Sequence, residues 1–408
     1  MKEDLIVINK NKFLNHETVT LPASKSISNR VLIVDALCDN GGEIHNLSEA
    51  RDTITMQRLL RSDDDILDVI DAGTTMRFLT AYLATTGQKK VLTGTPRMCQ
   101  RPIKILVDAL RYIGADIEYL QQDGFPPLSL KGFPGQKQNA LSIRGDVSSQ
   151  YISALLMIAP SLPQGLTLTL LGKVGSRPYI QMTLMIMESY GVKAAWKDDK
   201  IHVEPQSYRA TTFAVEPDWS GASYWYSFLA LSGSDQLKVR NLRDQSLQGD
   251  RAIADMMSKL GVKTSFDEFG ATLQKTTHDE NIHIDFSDCP DLAQTVAVYC
   301  AAKGIYCTMT GLESLKIKET DRVQALQNEL AKIGATLKEN DQQWKVIPSR
   351  QLPAAIRVDT YDDHRMAMAF APLSTLMDVT IEAPHVVNKS FPGFWNEMKK
   401  LGFKIEAR

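Results

Sequence analysis

The sequence predicts a mixed α/β fold of two domains in which one unit of helices and strands occurs six times. In five segments an amphipathic helix ends in an apolar residue and a glycine before a short strand, and these segments recur roughly every 70 residues. A second series of strongly apolar helices, each opened by a turn rich in Ser, Thr or Asp, lies between them at a similar interval. We therefore expect six α/β units, three in each domain.

The two series of helices define the elements of each unit. The amphipathic series is LRYIGADIEYL, MESYGVKAAW, MSKLGVKTSF, LAKIGATLKE and MKKLGFKIE, and its helix-stopping glycines are Gly114, Gly191, Gly261, Gly334 and Gly402. The apolar series begins near Ser26, Thr74, Ser149, Trp219, Asp291 and Asp363. Alternating segments such as LTLTLLG, DQLKVRNL and YCTMTGL predict strands. A helix that is apolar all round is buried, so we expect the apolar helices inside and the other elements outside.

The first unit is shorter than the others. Its step from Ser26 to Thr74 is roughly 50 residues, against roughly 70 for the rest of the series. This difference predicts that the first unit lacks a pair of strands, about 20 residues in all. The acidic, proline-containing segment FAVEPDW around Glu216 and Pro217 is the candidate crossing point between the domains.

Composition and charge exclude several classes of function. The 408 residues are 43% apolar and 23% charged, which is typical of a globular chain of two or three domains. With 46 basic and 48 acidic side chains, the net charge of −2 provides no global positive field for nucleic acid or an anionic membrane. The opening MKEDLIVINK lacks the apolar core of a signal peptide, and no apolar run approaches the roughly 18 residues of a membrane span. We expect a cytoplasmic protein.

The cysteines and the absent motifs narrow the chemistry further. The five cysteines show no C-x-x-C spacing, which favours reduced thiols over a disulfide framework or a zinc site. The sequence also lacks the phosphate loop, the dinucleotide fingerprint, the zinc-protease motif and the nucleophile elbow. We therefore expect neither a cofactor nor a metal.

The starts of the apolar helices predict an anion site, because helix N-termini present unpaired N–H groups and a partial positive charge. The first three starts carry Lys25, Ser26, Arg30, Gly73, Thr74, Arg77, Ser148, Ser149 and Gln150. The last three carry Asp218, Asp291, Asp362, Asp363, His364 and Arg365. At any single start, capping by Ser, Thr or Asp is the alternative interpretation. All six together favour function, in a cationic cleft with embedded carboxylates.

Three further segments contain candidate residues. IKETDR packs Lys318, Glu319, Asp321 and Arg322 together, although most such runs are solvated helix faces. RMCQRP contains Arg101 and also Cys99, which could be a nucleophile or a bystander; Lys389 follows no regular pattern. Lysines and arginines with isolated carboxylates suit acid/base chemistry on small phosphorylated acids.

An ordered set of motifs runs from residue 22 to residue 392: PASKSISNR, DAGTTMR, GTPRMCQRP, SSQ, SRPY, PD at Pro290, KETDR, DDHRMAM and NKSFP. In this set the chain resembles the 5-enolpyruvylshikimate-3-phosphate synthase family. The resemblance implies an inside-out α/β barrel of six βαβαββ units, three per domain. One domain would be residues 1–21 plus 216–408, with the acid/base and phosphoenolpyruvate-binding residues. The other would be the inserted residues 22–215, with most contacts to shikimate 3-phosphate.

The resemblance implies that the enolpyruvyl group of phosphoenolpyruvate passes to the 5-hydroxyl of shikimate 3-phosphate through a tetrahedral intermediate that expels phosphate. Shikimate 3-phosphate would be bound by Lys25, Ser26, Arg30, Ser148, Ser149, Gln150, Ser176, Tyr179, Asp291 and Lys318. Phosphoenolpyruvate would be bound by Lys25, Gly73, Arg101, Gln150, Arg322, Arg365 and Lys389. Supporting residues would be Thr74, Arg77, Asp218 and His364. Asp291 would take the hydroxyl proton, Glu319 would serve the methylene carbon, and Lys25 would neutralise the departing phosphate.

Some positions depart from the family pattern, and two alternatives stay open. The departures are Ala23, Asp71, Phe78 and Ser314; Asp71 puts an acid beside the expected anion site. Gly73 is retained where a methyl group would obstruct glyphosate, so we expect inhibition by that compound. The alternatives are a UDP-N-acetylglucosamine enolpyruvyl transferase, suggested by Cys99, and an inactive binding protein on the same scaffold. The partners would be small molecules only, and the chain would be a monomer.

Overall fold

The computed structural model describes residues 4–15, 18–146 and 148–408. The chain divides into two compact units, which are described separately. The continuous unit is Ala23–Glu216, and the discontinuous unit combines Met1–Pro22 with Pro217–Arg408. Both are mixed α/β structures built on small sheets. Among the described residues, no helix combines the length and the hydrophobicity that a membrane span requires.

The α-helices of the two units follow one another along the chain. Those of the continuous unit are α1 (Lys25–Ala36), α2 (Arg51–Leu60), α3 (Gly73–Thr85), α4 (Lys104–Ile113), α5 (Ser149–Ile158) and α6 (Arg177–Ser189). Those of the discontinuous unit are α7 (Trp219–Leu231), α8 (Ala252–Lys259), α9 (Ala293–Lys303), α10 (Arg322–Lys332), α11 (His364–Phe370) and α12 (Phe394–Lys400).

The strands are short and are numbered in chain order. The first eleven are β1 (Leu5–Ile8), β2 (Thr18–Val19), β3 (Glu43–His45), β4 (Ile66–Asp68), β5 (Lys90–Thr93), β6 (Asp116–Tyr119), β7 (Leu128–Gly132), β8 (Ala140–Arg144), β9 (Leu166–Leu171), β10 (Ala194–Lys197) and β11 (Lys200–Val203). The others are β12 (Thr212–Ala214), β13 (Gln236–Arg240), β14 (Val262–Asp267), β15 (Gly270–Lys275), β16 (Asn281–Asp285), β17 (Tyr306–Thr310), β18 (Thr336–Asn340), β19 (Gln343–Ile347), β20 (Ala355–Val358), β21 (Asp378–Glu382) and β22 (Ile405–Ala407).

One sheet pattern recurs in both units. The four-stranded sheets are β4-β5-β7-β6 and β8-β9-β11-β10 in the continuous unit, and β20-β21-β1-β22, β2-β13-β15-β14 and β16-β17-β19-β18 in the discontinuous unit. In each, the first two strands pair in parallel and the others pair antiparallel. The β3-β12 sheet consists of a parallel pair alone.

The parallel pairs require crossover connections, and the apolar helices supply them. Helices α3, α5, α9 and α11 each lie in sequence between two parallel strands of one sheet. Every residue of α11 is buried, and α7 is buried along almost its whole length. The amphipathic helix α4 buries one face only, through Leu106, Val107 and Leu110 among others. For these three helices, the burial agrees with the periodicity of the sequence: α7 and α11 are internal, and α4 has an exposed face.

Aromatic packing forms much of the core of the discontinuous unit. Trp225 on α7 stacks on Phe228 at 5.2 Å between ring centroids and meets Phe394 of α12 at 5.4 Å. Phe228 in turn meets Phe403 at 5.4 Å. Because aromatic side chains bury large apolar areas, this cluster anchors α7 firmly, and the residues at the N-terminal end of α7 gain a fixed position.

Candidate active site

Lys25 is the first residue of α1 in the continuous unit. Ser24 caps the helix by accepting a hydrogen bond from the backbone N–H of Ile27. The Lys25 ammonium donates to Oδ2 of Asp52 on α2 at 3.0 Å, and the Asp52 side chain is only 3% exposed. A buried carboxylate therefore fixes the position of this ammonium group. Sequence reasoning missed Asp52, because nothing local relates it to Lys25.

Arg30 lies deeper on α1 and is almost fully buried. Its guanidinium donates to Thr183 Oγ1 at 2.7 Å, to Ser153 Oγ at 3.1 Å and to the backbone carbonyl of Ser26 at 2.9 Å. Burial lowers the pKa of Arg30 to about 10, so the group remains charged at neutral pH.

Two aromatic rings lie close to the Arg30 guanidinium. The ring centroid of Phe78 is 5.3 Å away and that of Tyr179 is 5.9 Å away, within the range of a cation–π interaction. Phe78, one of the departures from the family pattern, thus packs against an expected substrate-binding arginine. Tyr179 lies near Arg30, as the assignment of both residues to one ligand requires.

The starts of α3 and α5 meet within the continuous unit. Arg77 donates to the Gly73 carbonyl at 2.9 Å and to Gln150 Oε1 at 3.0 Å. Gln150 Nε2 donates to Thr74 Oγ1 at 3.0 Å, and Ser148 caps α5 through the Gln150 N–H. These hydrogen bonds bring two of the predicted helix starts together.

Gly73 is surrounded closely by cations. A Cβ atom at this position would lie 2.6 Å from Nη1 of Arg77 and 2.7 Å from Nη1 of Arg101. Both distances are shorter than real Cβ contacts, so only glycine leaves the two guanidinium groups where they are. The retained glycine therefore has a direct steric reason.

Asp71 does not present an uncompensated negative charge beside this group. Nη2 of Arg51, the first residue of α2, donates to both carboxylate oxygens of Asp71, at 3.0 and 2.8 Å. The pair explains how an acid is tolerated beside the expected anion site.

The remaining candidates of the continuous unit lie at other helix starts or in a short turn. Ser149 begins α5, and Ser176 precedes α6 in the left-handed conformation with φ of 52°. Cys99 lies in a 3₁₀ turn, Met98–Gln100, and its thiol donates to the Gly94 carbonyl at 3.6 Å.

Arg322 is the centre of the site residues in the discontinuous unit. It begins α10, its side chain is 2% exposed, and its three nitrogens donate to three carboxylates. Nε bonds Asp363 at 2.6 Å, Nη1 bonds Asp291 at 2.9 Å, and Nη2 bonds Glu319 at 2.9 Å. Burial alone would lower the pKa of Arg322, but the carboxylates, Asp363 foremost, raise it above its ordinary value. The solvated-face interpretation of KETDR is therefore wrong for Arg322.

Asp291 lies among three cations. Its Oδ1 accepts from Arg322, its Oδ2 accepts from Arg365 Nη2 at 2.8 Å, and Lys318 Nζ lies 3.9 Å from Oδ1. Burial would raise the pKa of Asp291, but the charges of Arg365, Lys318 and Arg322 outweigh it and hold the pKa well below its usual range. Asp291 is therefore ionised at neutral pH, and the three cations weaken it as a base.

Arg365 and Lys389 complete the cationic group. Arg365, on α11, also donates to the Asp291 carbonyl at 3.1 Å and to Ser220 Oγ at 3.4 Å. The Lys389 side chain is 2% exposed, and its ammonium lies 3.6 Å from Oε1 of Glu319. The structure thus buries a lysine that its sequence context left unexplained.

Capping residues and a histidine border this group. Asp218 caps α7 by accepting from Ser220 N–H at 3.2 Å, and Asp363 caps α11 by accepting from Arg365 N–H at 2.8 Å. His364 is buried, with Nδ1 3.6 Å from Asp363. Sequence reasoning missed Ser220 and also Asp250, the buried carboxylate that accepts from the Ser220 hydroxyl.

The charges define what the site residues of the discontinuous unit can do. The cations are Lys318, Arg322, Arg365 and Lys389, and the carboxylates beside them are Asp291, Glu319 and Asp363. Guanidinium groups match phosphate and carboxylate oxygens, and the carboxylates supply acid/base groups. Within the described ranges, no group of three or more His, Cys, Asp or Glu side chains could hold a metal ion.

Comparisons with known proteins cover nearly the whole chain. The family model described as EPSP synthase (3-phosphoshikimate 1-carboxyvinyltransferase) matches residues 10–63 and 60–398. A 3-phosphoshikimate 1-carboxyvinyltransferase of Bacteroides fragilis is 47% identical over 398 residues, which is 96% of either chain. One of Idiomarina loihiensis is 37% identical over 415 residues, covering 94% of this chain and 96% of that protein.

A solved structure agrees at the level of the fold. An EPSP synthase from Acinetobacter baumannii superimposes with a TM-score of 0.81 at 19% sequence identity, over 99% of this chain and 100% of that one. The mixed α/β architecture with several small sheets is thus confirmed. Because the sequence matches extend over the helix starts and loops that carry the candidate residues, the resemblance read from the motifs is confirmed and the chain belongs to the EPSP synthase (3-phosphoshikimate 1-carboxyvinyltransferase) family.

Proposed function

We propose that the chain transfers the enolpyruvyl group of phosphoenolpyruvate to the 5-hydroxyl of shikimate 3-phosphate and releases phosphate. This step of the shikimate pathway leads to chorismate and the aromatic amino acids. Family membership supports the assignment over almost the full length. The single structural observation that carries it is Arg322, whose buried guanidinium binds the two implied acid/base groups, Asp291 and Glu319.

The reaction has two steps, an addition and an elimination. In the addition, the 5-oxygen of shikimate 3-phosphate forms a bond to the central carbon of phosphoenolpyruvate and loses its proton to Asp291. The methylene carbon gains a proton from Glu319 and becomes a methyl group. In the elimination, that methyl group returns a proton to the Glu319 carboxylate, and the bond from the central carbon to the phosphate oxygen breaks. The departing phosphate takes the proton that Asp291 had accepted, and Lys25 neutralises its charge. Positioned acid/base groups of this kind typically contribute roughly 10²–10⁴-fold in rate.

The charges around Asp291 link substrate binding to this chemistry. Arg322 and Arg365 hold its pKa low while they donate to it. A bound phosphoenolpyruvate anion would compensate these two positive charges and make Asp291 a stronger base. The proposal thus gives the arginines two roles, to bind phosphoenolpyruvate and to delay proton transfer until it is bound.

The substrate contacts are assigned from the family motifs. The residues that we assign to the binding of phosphoenolpyruvate are Lys25, Gly73, Arg101, Gln150, Arg322, Arg365 and Lys389. The residues that we assign to the binding of shikimate 3-phosphate are Lys25, Ser26, Arg30, Ser148, Ser149, Gln150, Ser176, Tyr179, Asp291 and Lys318. Thr74, Arg77, Asp218 and His364 support these residues. The hydrogen bonds among Thr74, Arg77 and Gln150 and those among Asp291, Arg322 and Arg365 support the grouping within each unit.

We extend the proposal to the finer architecture, an inside-out barrel of six βαβαββ units with three per domain. The sheet pattern of a parallel pair followed by antiparallel strands supports the repeat, and the two-stranded β3-β12 sheet supports a shortened first unit. Residues 1–21 with 216–408 would carry the acid/base and phosphoenolpyruvate-binding groups, and residues 22–215 most contacts to shikimate 3-phosphate. The monomeric state and the cytoplasmic location stay predictions.

The test is phosphate release from purified protein given phosphoenolpyruvate with shikimate 3-phosphate, and in parallel with UDP-N-acetylglucosamine. We expect release only with shikimate 3-phosphate, and unchanged release from Cys99→Ala. Release only with the nucleotide sugar would establish the other enolpyruvyl transfer and make Cys99 a candidate nucleophile. No phosphate release with either shikimate 3-phosphate or UDP-N-acetylglucosamine would support an inactive binding protein on the same scaffold.

A further inference from the structure

The turn that precedes α11 is held in an unfavourable backbone conformation. Tyr361 and Asp362 are consecutive non-glycine residues with φ of 52° and 54°. Each such residue costs of the order of 1 kcal/mol, so contacts outside the turn must hold it. The turn leads directly into Asp363, which caps α11 and accepts from Arg322, and into Arg365. Its geometry therefore sets the position of two of the proposed phosphoenolpyruvate-binding arginines.

Helix α10 holds this turn at two points on the same face. Arg322 is its first residue, and Glu329 follows seven residues later, which is about two helical turns. At the first point Arg322 Nε donates to Asp363 at 2.6 Å. At the second, Glu329 Oε2 accepts from the backbone N–H of Asp359 at 3.2 Å, and Oε1 accepts from the hydroxyl of Tyr361 at 2.9 Å.

At the second point, Glu329 is buried and its negative charge is compensated. The Glu329 side chain is 0% exposed, and Lys332 on the same helix donates to its Oε2 at 2.7 Å. Asn328 Nδ2 donates to the oxygen of the Tyr361 hydroxyl at 3.2 Å, so this hydroxyl accepts one hydrogen bond and donates another, to Glu329. Burial raises the pKa of Tyr361, which keeps the hydroxyl protonated at neutral pH. A buried glutamate with these partners marks the contact as specific.

We propose that Glu329 and Tyr361 are positioning residues that hold Asp363, and through it the guanidinium of Arg322, in the geometry that binds phosphoenolpyruvate. The inference rests on the proposed function and deepens it, because neither side chain belongs to the assigned substrate contacts. With the contact at Glu329 removed, α10 would hold the turn at one point instead of two, through the Arg322–Asp363 bond. Arg322 would then exchange between orientations, and phosphoenolpyruvate would bind more weakly.

The first readout is independent of the reaction. In protein labelled with ¹⁵N-arginine, the Nε–H signal of Arg322 is assigned by its loss in Arg322→Lys, and its exchange with solvent is measured. We expect exchange about 5-fold or more faster in Tyr361→Phe, because the hydrogen bond to Asp363 opens more often. The matched control is Tyr306→Phe, which removes the hydroxyl of a tyrosine that is 51% exposed on β17. Unchanged exchange in Tyr361→Phe would overturn the proposal.

The second readout separates positioning from a merely structural role. For Tyr361→Phe we expect the KM for phosphoenolpyruvate to rise about 3- to 10-fold, the effect of one lost hydrogen bond, with the KM for shikimate 3-phosphate unchanged within about 2-fold. Glu329→Gln should show the same pattern, and it serves as the test if Tyr361→Phe does not fold. A lower melting temperature with both KM values unchanged would overturn the proposed role. If the unaltered protein turned over neither phosphoenolpyruvate nor shikimate 3-phosphate, the proposed function would fail. The solvent exchange of the Arg322 Nε–H would still decide whether Glu329 and Tyr361 position Arg322.

Discussion

The guanidinium of Arg322 dominates the electrostatics of the site residues in the discontinuous unit. Three carboxylates accept hydrogen bonds from it, and two of them, Asp291 and Glu319, are the proposed acid/base groups. Four charges in KETDR predicted a charged helix start, but the burial of Arg322 depends on Asp363, 41 residues away along the chain. Local sequence therefore identified Arg322 as a candidate and could not identify its partner.

Asp291→Asn tests the proposed base. The amide keeps the size of the side chain but cannot take the proton of the 5-hydroxyl, so we expect kcat for phosphate release to fall by about 10²–10⁴-fold. The matched control is Asp255→Asn on α8, whose carboxylate is 74% exposed. A kcat within a few-fold of the unaltered protein would exclude Asp291 as the base.

The depressed pKa of Asp291 also predicts a pH dependence of stability. On acidification the unfolded chain, with an aspartate pKa of about 3.9, binds this proton before the folded chain does. The stabilisation is therefore complete above that value and is lost as the pH falls through the lower folded pKa. Urea unfolding should give a constant difference in free energy between the protein and Asp291→Asn from about pH 7 to about pH 5, shrinking below about pH 4. A difference that already shrinks near neutral pH would contradict the depressed pKa.

At the scale of elements, the starts of the buried helices carry most of the candidate residues. Ser148, Asp218 and Asp363 were singled out at these starts from sequence, and each accepts from a backbone N–H of the first turn. Ser24 caps α1 in the same way and was not singled out. The capping and functional interpretations of these helix starts are thus compatible, because a cap fixes the helix end at which the neighbouring cations lie.

Asp321→Ala tests the start of α10. Asp321 accepts from the N–H groups of Val323 and Gln324 at 3.1 Å each, next to Arg322. Loss of such a cap typically costs about 1 kcal/mol, so we expect the free energy of unfolding in urea to fall by roughly that amount. Glu268→Ala, in the exposed turn between β14 and β15, is the control. Equal stabilities of the two variants would show that the cap is unimportant.

Gly73→Ala tests the start of α3. The added methyl group would displace the guanidinium of Arg77 or Arg101. Loss of a hydrogen bond to a charged group predicts about a 10- to 100-fold rise in the KM for phosphoenolpyruvate and weaker inhibition by glyphosate. The control is Gly393→Ala, where a Cβ meets nothing closer than 3.9 Å. Full activity of the unaltered protein at millimolar glyphosate would refute the predicted sensitivity.

At the scale of the whole molecule, the chain repeats one arrangement of strands and helices in both compact units. The large apolar side chains that remain exposed lie on different elements, for example Ile66 on β4, Tyr112 on α4 and Tyr306 on β17. Isolated apolar residues are normal on the surface of a monomer.

The mass in solution tests the monomer prediction. We expect light scattering to give 45.5 kDa, the mass of one chain, over a wide range of protein concentrations. A mass of two or more chains that persists on dilution would contradict the monomer prediction and indicate a specific interface.

The sequence by itself determined the mixed α/β class, the repeated helix starts and most candidate residues, because helix stops, caps and apolar periodicity are properties of neighbouring residues. Only the tertiary structure decided which polar side chains are paired. Lys25 with Asp52, Arg51 with Asp71, and Arg30 with Thr183 join residues 27, 20 and 153 positions apart. Such pairs form only when packed elements bring distant side chains within hydrogen-bond distance, and no local pattern encodes that approach.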